Sequence, residues 1–283
     1  MVRDVETLER RPTRLYWWKE AGLVIAFYLV YSFTRNRFGS HRVEIGEEPL
    51  HAFNNAIRVI DWEKALHLFH EPQIQSHFLD YTVFLQFWNT YYGTAHFVVT
   101  AAAFIWLYRA RPEIFPLWRN VLGATTALAI VGFSLFPLMP PRLLDSTELY
   151  GGARLEVEQH AGPFGFVDTL EDYGGPWSFD SGAMQRVSNQ YAAMPSLHIA
   201  WSTWCALVMW QLTRKRWARV LIVLYPVMTL FGIVVTANHY FLDAAGGLLT
   251  LGVGYLIGRG LFEWNARRLG RADGAMADRA PTS

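Results

Sequence analysis

Two histidines lie in short polar motifs that interrupt long apolar stretches of the chain. His198 ends the run Met-Pro-Ser-Leu-His at 194–198, and His239 begins a His-x-x-x-Asp motif that ends at Asp243. A histidine and an aspartate four residues apart share one face of a helix, so the carboxylate can hold the imidazole in one tautomer. An oriented histidine that faces a second histidine across an anion site is typical of nucleophilic phosphoryl transfer.

The residues around His198 favour the binding of an anion. Pro195 suits the first turn of a helix, where its missing N–H would have no partner in any case. The N–H groups near Ser196 would then lie at a helix N-terminus, where the dipole also favours negative charge. Arg142, which follows two prolines at the end of another apolar stretch, has a planar guanidinium that suits phosphate oxygens. An arginine that reaches lipid headgroups from the membrane interface is the alternative role for Arg142.

Histidine and aspartate also bind metals, so a metal site is an alternative to a phosphoryl-transfer site. Only two histidines and one carboxylate converge in these motifs, and Ser196 is a poor metal ligand. The single cysteine, Cys205, excludes both a disulfide within the chain and a cysteine-based zinc site. The sequence therefore predicts a site that uses neither a metal ion nor a cofactor.

The elements that position these motifs are long apolar stretches. A helix of about 20 residues crosses a bilayer, and irregular backbone cannot face lipid. A soluble helical bundle is the alternative, but its helices would carry polar faces that these stretches lack. The sequence therefore predicts an all-α integral membrane bundle of six transmembrane helices. They cover about 21–34 (extended backwards by aromatic residues at 16–18), 83–108, 121–139, 192–213, 218–238 and 239–262.

The distribution of Lys and Arg predicts the orientation in the membrane. With the N-terminus in the cytoplasm, 17 of the 25 basic residues fall in cytoplasmic segments and eight fall outside. The first apolar stretch has no small-residue cleavage site, so it is predicted to stay as a span of a plasma-membrane protein. His198 and His239 are 41 residues apart, enough for one crossing inward and one back. Both histidines, and Arg142, are therefore predicted on the extracytoplasmic side.

The remaining segments complete the predicted organisation. Residues 47–71 show the spacing of an amphipathic helix that lies on the outer membrane surface or on the bundle. Residues 141–190 form an extracytoplasmic loop, and 270–283 are predicted to be a disordered cytoplasmic tail after a single membrane domain at 1–269. A net charge of +1 without a basic stripe excludes a nucleic-acid partner.

The motifs resemble those of the type-2 phosphatidic acid phosphatase superfamily. Met-Pro-Ser-Leu-His at 194–198 and His-x-x-x-Asp at 239–243 are similar to its second and third signature motifs. The wording Ala-Met-Pro-Ser-Leu-His, with Pro-Pro-Arg at 140–142 and Asn-His-Tyr-Phe-Leu-Asp at 238–243, is closer to the branch that contains inositol-phosphorylceramide synthases. The resemblance covers about residues 80–262, and it implies an integral-membrane lipid phosphatase or phosphotransferase whose substrate is a phospholipid or another lipid phosphate.

The resemblance also implies a role for each motif residue. His239 would attack phosphorus and become a phosphohistidine, while Asp243 raises its basicity. His198 would protonate the leaving alcohol and then activate the second nucleophile. Ser196 and Arg142 would hold the phosphoryl oxygens. No metal takes part in that family, because preorganised donors stabilise the developing charge.

Two positions depart from the phosphatase branch of that family. Its first motif has a Lys, six residues and Arg-Pro, but here Arg111-Pro112 lacks the Lys and falls on the predicted cytoplasmic side. Its arginine six residues before the nucleophilic histidine is Ile233 here, and Arg154 and Arg186 are candidates for the missing charge. These departures keep open a second function, a lipid-binding, phosphate-binding or transporter-like membrane protein without catalysis.

Asn89, Tyr92 and His96 in the second span share one helix face. One interpretation is that they contact a headgroup or an acceptor alcohol. The other is that they form hydrogen bonds between the spans, and this is the interpretation the sequence favours.

Overall fold

The computed structural model describes residues 16–20, 22–23, 25–26, 29, 48–148, 150–174 and 190–277, with side chains for all of these except 48, 49 and 269–277. Its regular elements are helices. These are α1 (Glu48–Ala65), α2 (Glu71–Ser76), α3 (Thr82–Ala110), α4 (Phe115–Leu135), α5 (Pro141–Leu144), α6 (Ala153–Gln159), α7 (Thr169–Asp172), α8 (Leu197–Leu212), α9 (Arg216–Val235) and α10 (Phe241–Ala277). The predicted all-α class is confirmed, and within the described part of the chain no strand forms.

The long helices α3, α4, α8, α9 and α10 form the bundle. α10 packs along α4, and α8 packs against α3, α9 and α10. The half of the bundle away from the two motifs is filled by large side chains, and the indole of Trp204 donates to the carbonyl of Trp118 across it (3.0 Å). Because α8 touches all four of the other long helices, the motif at its start is fixed by packing on several sides.

Two described helices are long and apolar enough to cross a membrane, namely α9 and the part of α10 from Phe241 to Arg268. Their outward side chains, such as Val220 and Leu249, are well exposed, as lipid-facing residues would be. α8 has 16 residues, fewer than a span of about 20 needs. The predicted first span lies largely outside the described residues, so the six-span arrangement stays a prediction.

The helix predicted at 47–71 forms as α1 and ends at Ala65. Its apolar face, with Phe53 and Ile60 fully buried, packs on Met139 and Tyr240 of the bundle. Two of its polar residues, which helical alternation would place in water, are buried instead. Asn55 donates to the carbonyl of Pro137 (2.9 Å), and Glu63 contacts the start of α10.

Two loops at the end of the bundle that carries the motifs are hydrogen-bonded to each other. Leu138 donates to the carbonyl of Tyr191 (2.8 Å) and forms a short parallel bridge with Ala192. The predicted loop at 141–190 contains α5, α6 and α7 in its described part. At the other end, α10 continues beyond residue 270 to Ala277, and residues 278–283 of the predicted tail lie outside the described residues.

Candidate functional site

His239, His198 and Asp243 form one hydrogen-bonded chain. Nδ1 of His239 lies 3.2 Å from Oδ2 of Asp243, and Nε2 of His239 lies 3.2 Å from Nδ1 of His198. All three side chains are at least largely buried. A carboxylate can only accept, so Nδ1 of His239 is the donor toward Asp243 and its Nε2 keeps the lone pair. The reactive nitrogen of His239 therefore faces His198.

The local backbone differs from the prediction that His239 and Asp243 share a helix. α9 ends at Val235, Ala237 has a left-handed φ of 50°, and α10 begins only at Phe241. His239 thus lies just before the helix, and Asp243 reaches back to it from the first turn. The same Oδ2 accepts the N–H of Tyr240 (3.0 Å), as the acidic residue of a capping box does. Asp243 therefore caps the helix and orients the histidine together.

Ser196 precedes the first residue of α8 and is fully buried. Its Oγ has no hydrogen-bond partner among the described residues. Its backbone N–H donates to the carbonyl of Asp243 (3.0 Å), so this N–H is not available to an anion as the sequence predicted. A phosphoryl group at this point would meet the Ser196 hydroxyl and the first turn of α8.

Arg142 lies beside the loop that carries His239. Its backbone N–H donates to the carbonyl of Ala237 (2.7 Å), and its Nε donates to Oδ1 of Asn238 (3.1 Å). The two terminal nitrogens bind Asp168 and Oε1 of Gln190, the latter at 2.6 Å. The guanidinium is almost completely buried, and its charge is balanced by that of Asp168. Arg142 therefore faces the interior of the protein.

Sequence reasoning missed Asp168 as the partner of Arg142. Asp168 also accepts the N–H groups of Leu170 and Glu171 and so caps α7. The run Asp-Thr-Leu-Glu at 168–171 is a capping-box pattern and could have been identified as a helix start. Nothing in the pattern indicates the ion pair, because Arg142 is 26 residues away along the chain.

Sequence reasoning also missed Glu63 and Glu71, which contact the first turn of α10. Oε1 of Glu63 accepts the N–H of Leu242 (2.7 Å), and Oε1 of Glu71 accepts the N–H of Phe241 (3.0 Å). Both residues are fully buried. Burial, together with the hydrogen bond to Glu71 and its negative charge, raises the pKa of Glu63 to about 9. Glu63 is therefore protonated at neutral pH.

The three polar residues of α3 contact two different parts of the protein, the loop and His198. Asn89 donates to the carbonyls of Thr169 (2.6 Å) and Gly174 (3.1 Å), so it holds the loop on the bundle. The ring of Tyr92 stacks on that of His198, and the ring of His96 meets it edge to face, both with centroids 4.3 Å away. These two rings and His198 line a small cavity with Tyr91, Thr229 and Ile233.

Of the two candidates for the missing charge, Arg154 does not line this cavity and Arg186 cannot be placed. Ile233 is buried at the cavity wall. Arg154 is exposed and pairs with Glu158 on the same helix, Arg111 pairs with Glu113, and Arg186 lies outside the described residues. Within the described residues, no group of three or more His, Cys, Asp or Glu side chains is arranged to hold a metal ion.

Comparison with known families supports the superfamily that the motifs predicted. The family model described as the PAP2 superfamily, the type-2 phosphatidic acid phosphatases, matches residues 57–257. The matched region begins within α1 and includes Glu63, Arg142 and both histidines. No curated protein and no solved structure matches the chain. Because the family match covers most of its length, the chain belongs to the PAP2 superfamily, whose members are phosphatases or phosphotransferases that act on phosphoesters without a metal ion.

Proposed function

We propose that the protein is a membrane-embedded lipid phosphatase or phosphotransferase that works through a phosphohistidine on His239. The observation that carries this proposal is the hydrogen-bonded chain from Asp243 through His239 to His198. It supplies an oriented nucleophile whose lone pair faces a second imidazole, the pair of groups that two-step phosphoryl transfer needs.

The proposed reaction has two steps. Nε2 of His239 attacks the lipid phosphorus, the P–O bond to the leaving alcohol breaks, and protonated His198 gives its proton to that oxygen. His198, now neutral, takes a proton from water or from an acceptor alcohol, whose oxygen attacks phosphorus and breaks the P–N bond to His239. The 3.2 Å contact between the two nitrogens leaves no space for a phosphorus atom between them. Substrate binding must therefore separate the two rings.

Ser196 and Arg142 are proposed to bind the phosphoryl oxygens. Ser196 supports this role because its buried hydroxyl has no partner among the described residues. Arg142 is adjacent through Asn238, the residue before His239, but Asp168 balances its charge. With Ile233 in place of a second arginine, the described residues supply little net positive charge near His239. This favours a phosphodiester donor with one negative charge over a monoester with nearly two.

The finer parts of the proposal concern the headgroup and the membrane. The resemblance of Pro-Pro-Arg at 140–142 and of 193–198 to inositol-phosphorylceramide synthases supports transfer of an inositol-type headgroup. The excess of Lys and Arg in the predicted cytoplasmic segments supports a plasma-membrane protein of six spans with both termini inside. The single membrane domain at 1–269 would then present its site to the extracytoplasmic leaflet.

The test is turnover of lipid phosphate by the full chain in proteoliposomes, with His239→Ala beside the wild type. His51→Ala, at an exposed histidine of α1, is the matched control. We expect the control to turn over lipid phosphate at the wild-type rate and His239→Ala to lose turnover. An acid-labile phosphoryl adduct should be trapped on the wild type and not on His239→Ala. Equal turnover of wild type and His239→Ala would contradict the mechanism.

The reaction is hydrolysis if water accepts the phosphoryl group and transfer if an alcohol accepts it. A labelled polyol supplied with a phosphodiester lipid should appear in a new phosphodiester product if the enzyme is a transferase. Release of a phosphomonoester without such a product would assign hydrolysis. Lipid binding that His239→Ala leaves unchanged, with no turnover in either protein, would instead support the non-catalytic binding function.

A further inference from the structure

The first turn of α10 is capped by three carboxyl groups. A helix N-terminus leaves four N–H groups without a partner in the helix, and one capping side chain is the usual complement. Here three consecutive N–H groups, of Tyr240, Phe241 and Leu242, donate to Asp243, Glu71 and Glu63 respectively. Asp243 belongs to the same turn, but the two glutamates come from 170 and 179 residues away.

The two glutamates form a pair with one proton to share. Each uses Oε1 for a backbone N–H of α10, and each keeps an Oε2 that no N–H or neutral O–H group reaches among the described residues. Because these N–H groups belong to adjacent residues, the two carboxyl groups lie close together, and a proton on one of them would let it donate to the other. Two fully buried carboxylates in contact would repel strongly, so the shared proton leaves one negative charge, which the helix N-terminus favours.

This pair acts on the residue that carries the proposed chemistry. Phe241 and Leu242 follow His239 by two and three residues, so their amides fix the backbone from which the imidazole extends. An apolar side chain at either glutamate would pack equally well against the bundle but would leave a buried N–H without a partner. The hydrogen bonds that the carboxyl groups accept, and not burial alone, therefore hold this backbone in place.

We propose that Glu63 and Glu71 are positioning residues, a proton-sharing carboxyl pair that sets the place of His239 relative to His198. The inference rests on the proposed function, because that function supplies the reaction for which His239 is positioned. The hydrogen bonding of the amides can be measured whether or not the proposed function is right. The inference extends the functional unit to α1 and α2, ahead of the segment at 80–262 that carries the recognised motifs.

The experiment compares Glu63→Gln, Glu71→Gln and the double variant, with Glu158→Gln at an exposed site as the matched control. In either single variant the amide oxygen can accept the backbone N–H, and the amide N–H can replace the shared proton as donor to the remaining carboxylate. We expect both single variants to keep the wild-type kcat. In the double variant two amide NH₂ groups meet without an acceptor, and kcat should fall about a hundredfold at unchanged KM.

Hydrogen exchange at the amides of 241 and 242 gives a readout independent of turnover. These amides should stay protected in both single variants and exchange faster in the double variant. A double variant with wild-type kcat and protection would overturn the inference, as would single variants that are each as slow as the double. Absence of turnover in the wild type would refute the proposed function alone, and exchange would still decide the pair.

A second comparison covers the case in which the double variant does not fold. The methionine side chain of Glu63→Met has nearly the shape of the glutamine in Glu63→Gln, but it cannot accept the N–H of Leu242. We expect Glu63→Met to lose kcat and amide protection while Glu63→Gln keeps both. Equal behaviour of the Met and Gln variants would show that packing alone holds the turn, against the inference.

Discussion

At Gly247, α10 closely approaches the backbone that carries His198. A Cβ placed on Gly247 would lie 2.3 Å from the carbonyl oxygen of Ser196, whereas contacts of 3.4 Å or more are ordinary. The neighbouring Gly246 is a matched control, since its Cβ would meet nothing closer than 3.5 Å, at Pro195. Both glycines lie inside α10, so alanine gives the same gain in helix propensity, about 1 kcal/mol, at either position.

Gly247→Ala must therefore move two backbones apart by about 1 Å, because a carbonyl cannot rotate away as a side chain can. Overpacking of this kind costs about 1–3 kcal/mol, so the net loss of stability is about 0–2 kcal/mol, whereas Gly246→Ala should be slightly stabilised. The movement separates His198 from His239, and a displacement of about 1 Å costs about a hundredfold in rate.

Two measurements check this prediction: thermal unfolding in detergent and lipid-phosphate turnover in proteoliposomes. Gly246→Ala should equal wild type in turnover and unfold at the same or a higher temperature. Gly247→Ala should unfold at a lower temperature than Gly246→Ala and lose turnover. If the two variants are equally stable and equally active, α8 and α10 are not in the close contact from which the argument starts.

Two further predictions concern buried charges. Arg142→Ala leaves Asp168 buried without its partner, so chemical denaturation should show a loss of stability of about 3–5 kcal/mol. The double variant Arg142→Ala with Asp168→Asn should recover part of that loss. If it recovers none, the pairing is contradicted. Because the pKa of Glu63 is raised, the folded protein keeps a proton that the unfolded chain releases above about pH 4.5. The free energy of unfolding should therefore fall as the pH rises from about 4.5 to 9, by at most about 1.4 kcal/mol per pH unit. Thermal unfolding across that range should show a shallower slope in Glu63→Gln, and identical slopes would contradict the assignment.

Most of the helices could be predicted from local patterns. The predicted stretches at 83–108 and 218–238 correspond to Thr82–Ala110 and Arg216–Val235, because runs of apolar residues leave the backbone few alternatives. The stretch predicted from 192 instead begins its helix at Leu197. Tyr191 and Ala192 are engaged with Leu138 in a bridge between two loops, which hydropathy along the chain does not encode.

The candidate site was predictable where its contacts are local or repeat a known motif. The four-residue spacing of His239 and Asp243 predicted their pairing, although the structure places His239 just before the helix and not within it. Asp168, Glu63 and Glu71 were missed because their partners are far away along the chain. The amphipathic pattern of α1 assigns Glu63 to the polar face, but in the folded protein its carboxyl group contacts the first turn of α10.

The placement of His239 depends on contacts from two opposite sides of the same turn. On one side, the carbonyl of Asp243 accepts the N–H of Ser196, and Gly247 allows α8 to approach. On the other side, Glu63 and Glu71 bind the amides of Leu242 and Phe241. Since both sets of contacts act on residues 240–247, a change on either side would shift His239 and Asp243 together. The hydrogen bond between these two would survive such a shift, and the distance from His239 to His198 would change. The residues around the turn therefore set the geometry of attack, while Asp243 sets the tautomer of the nucleophile.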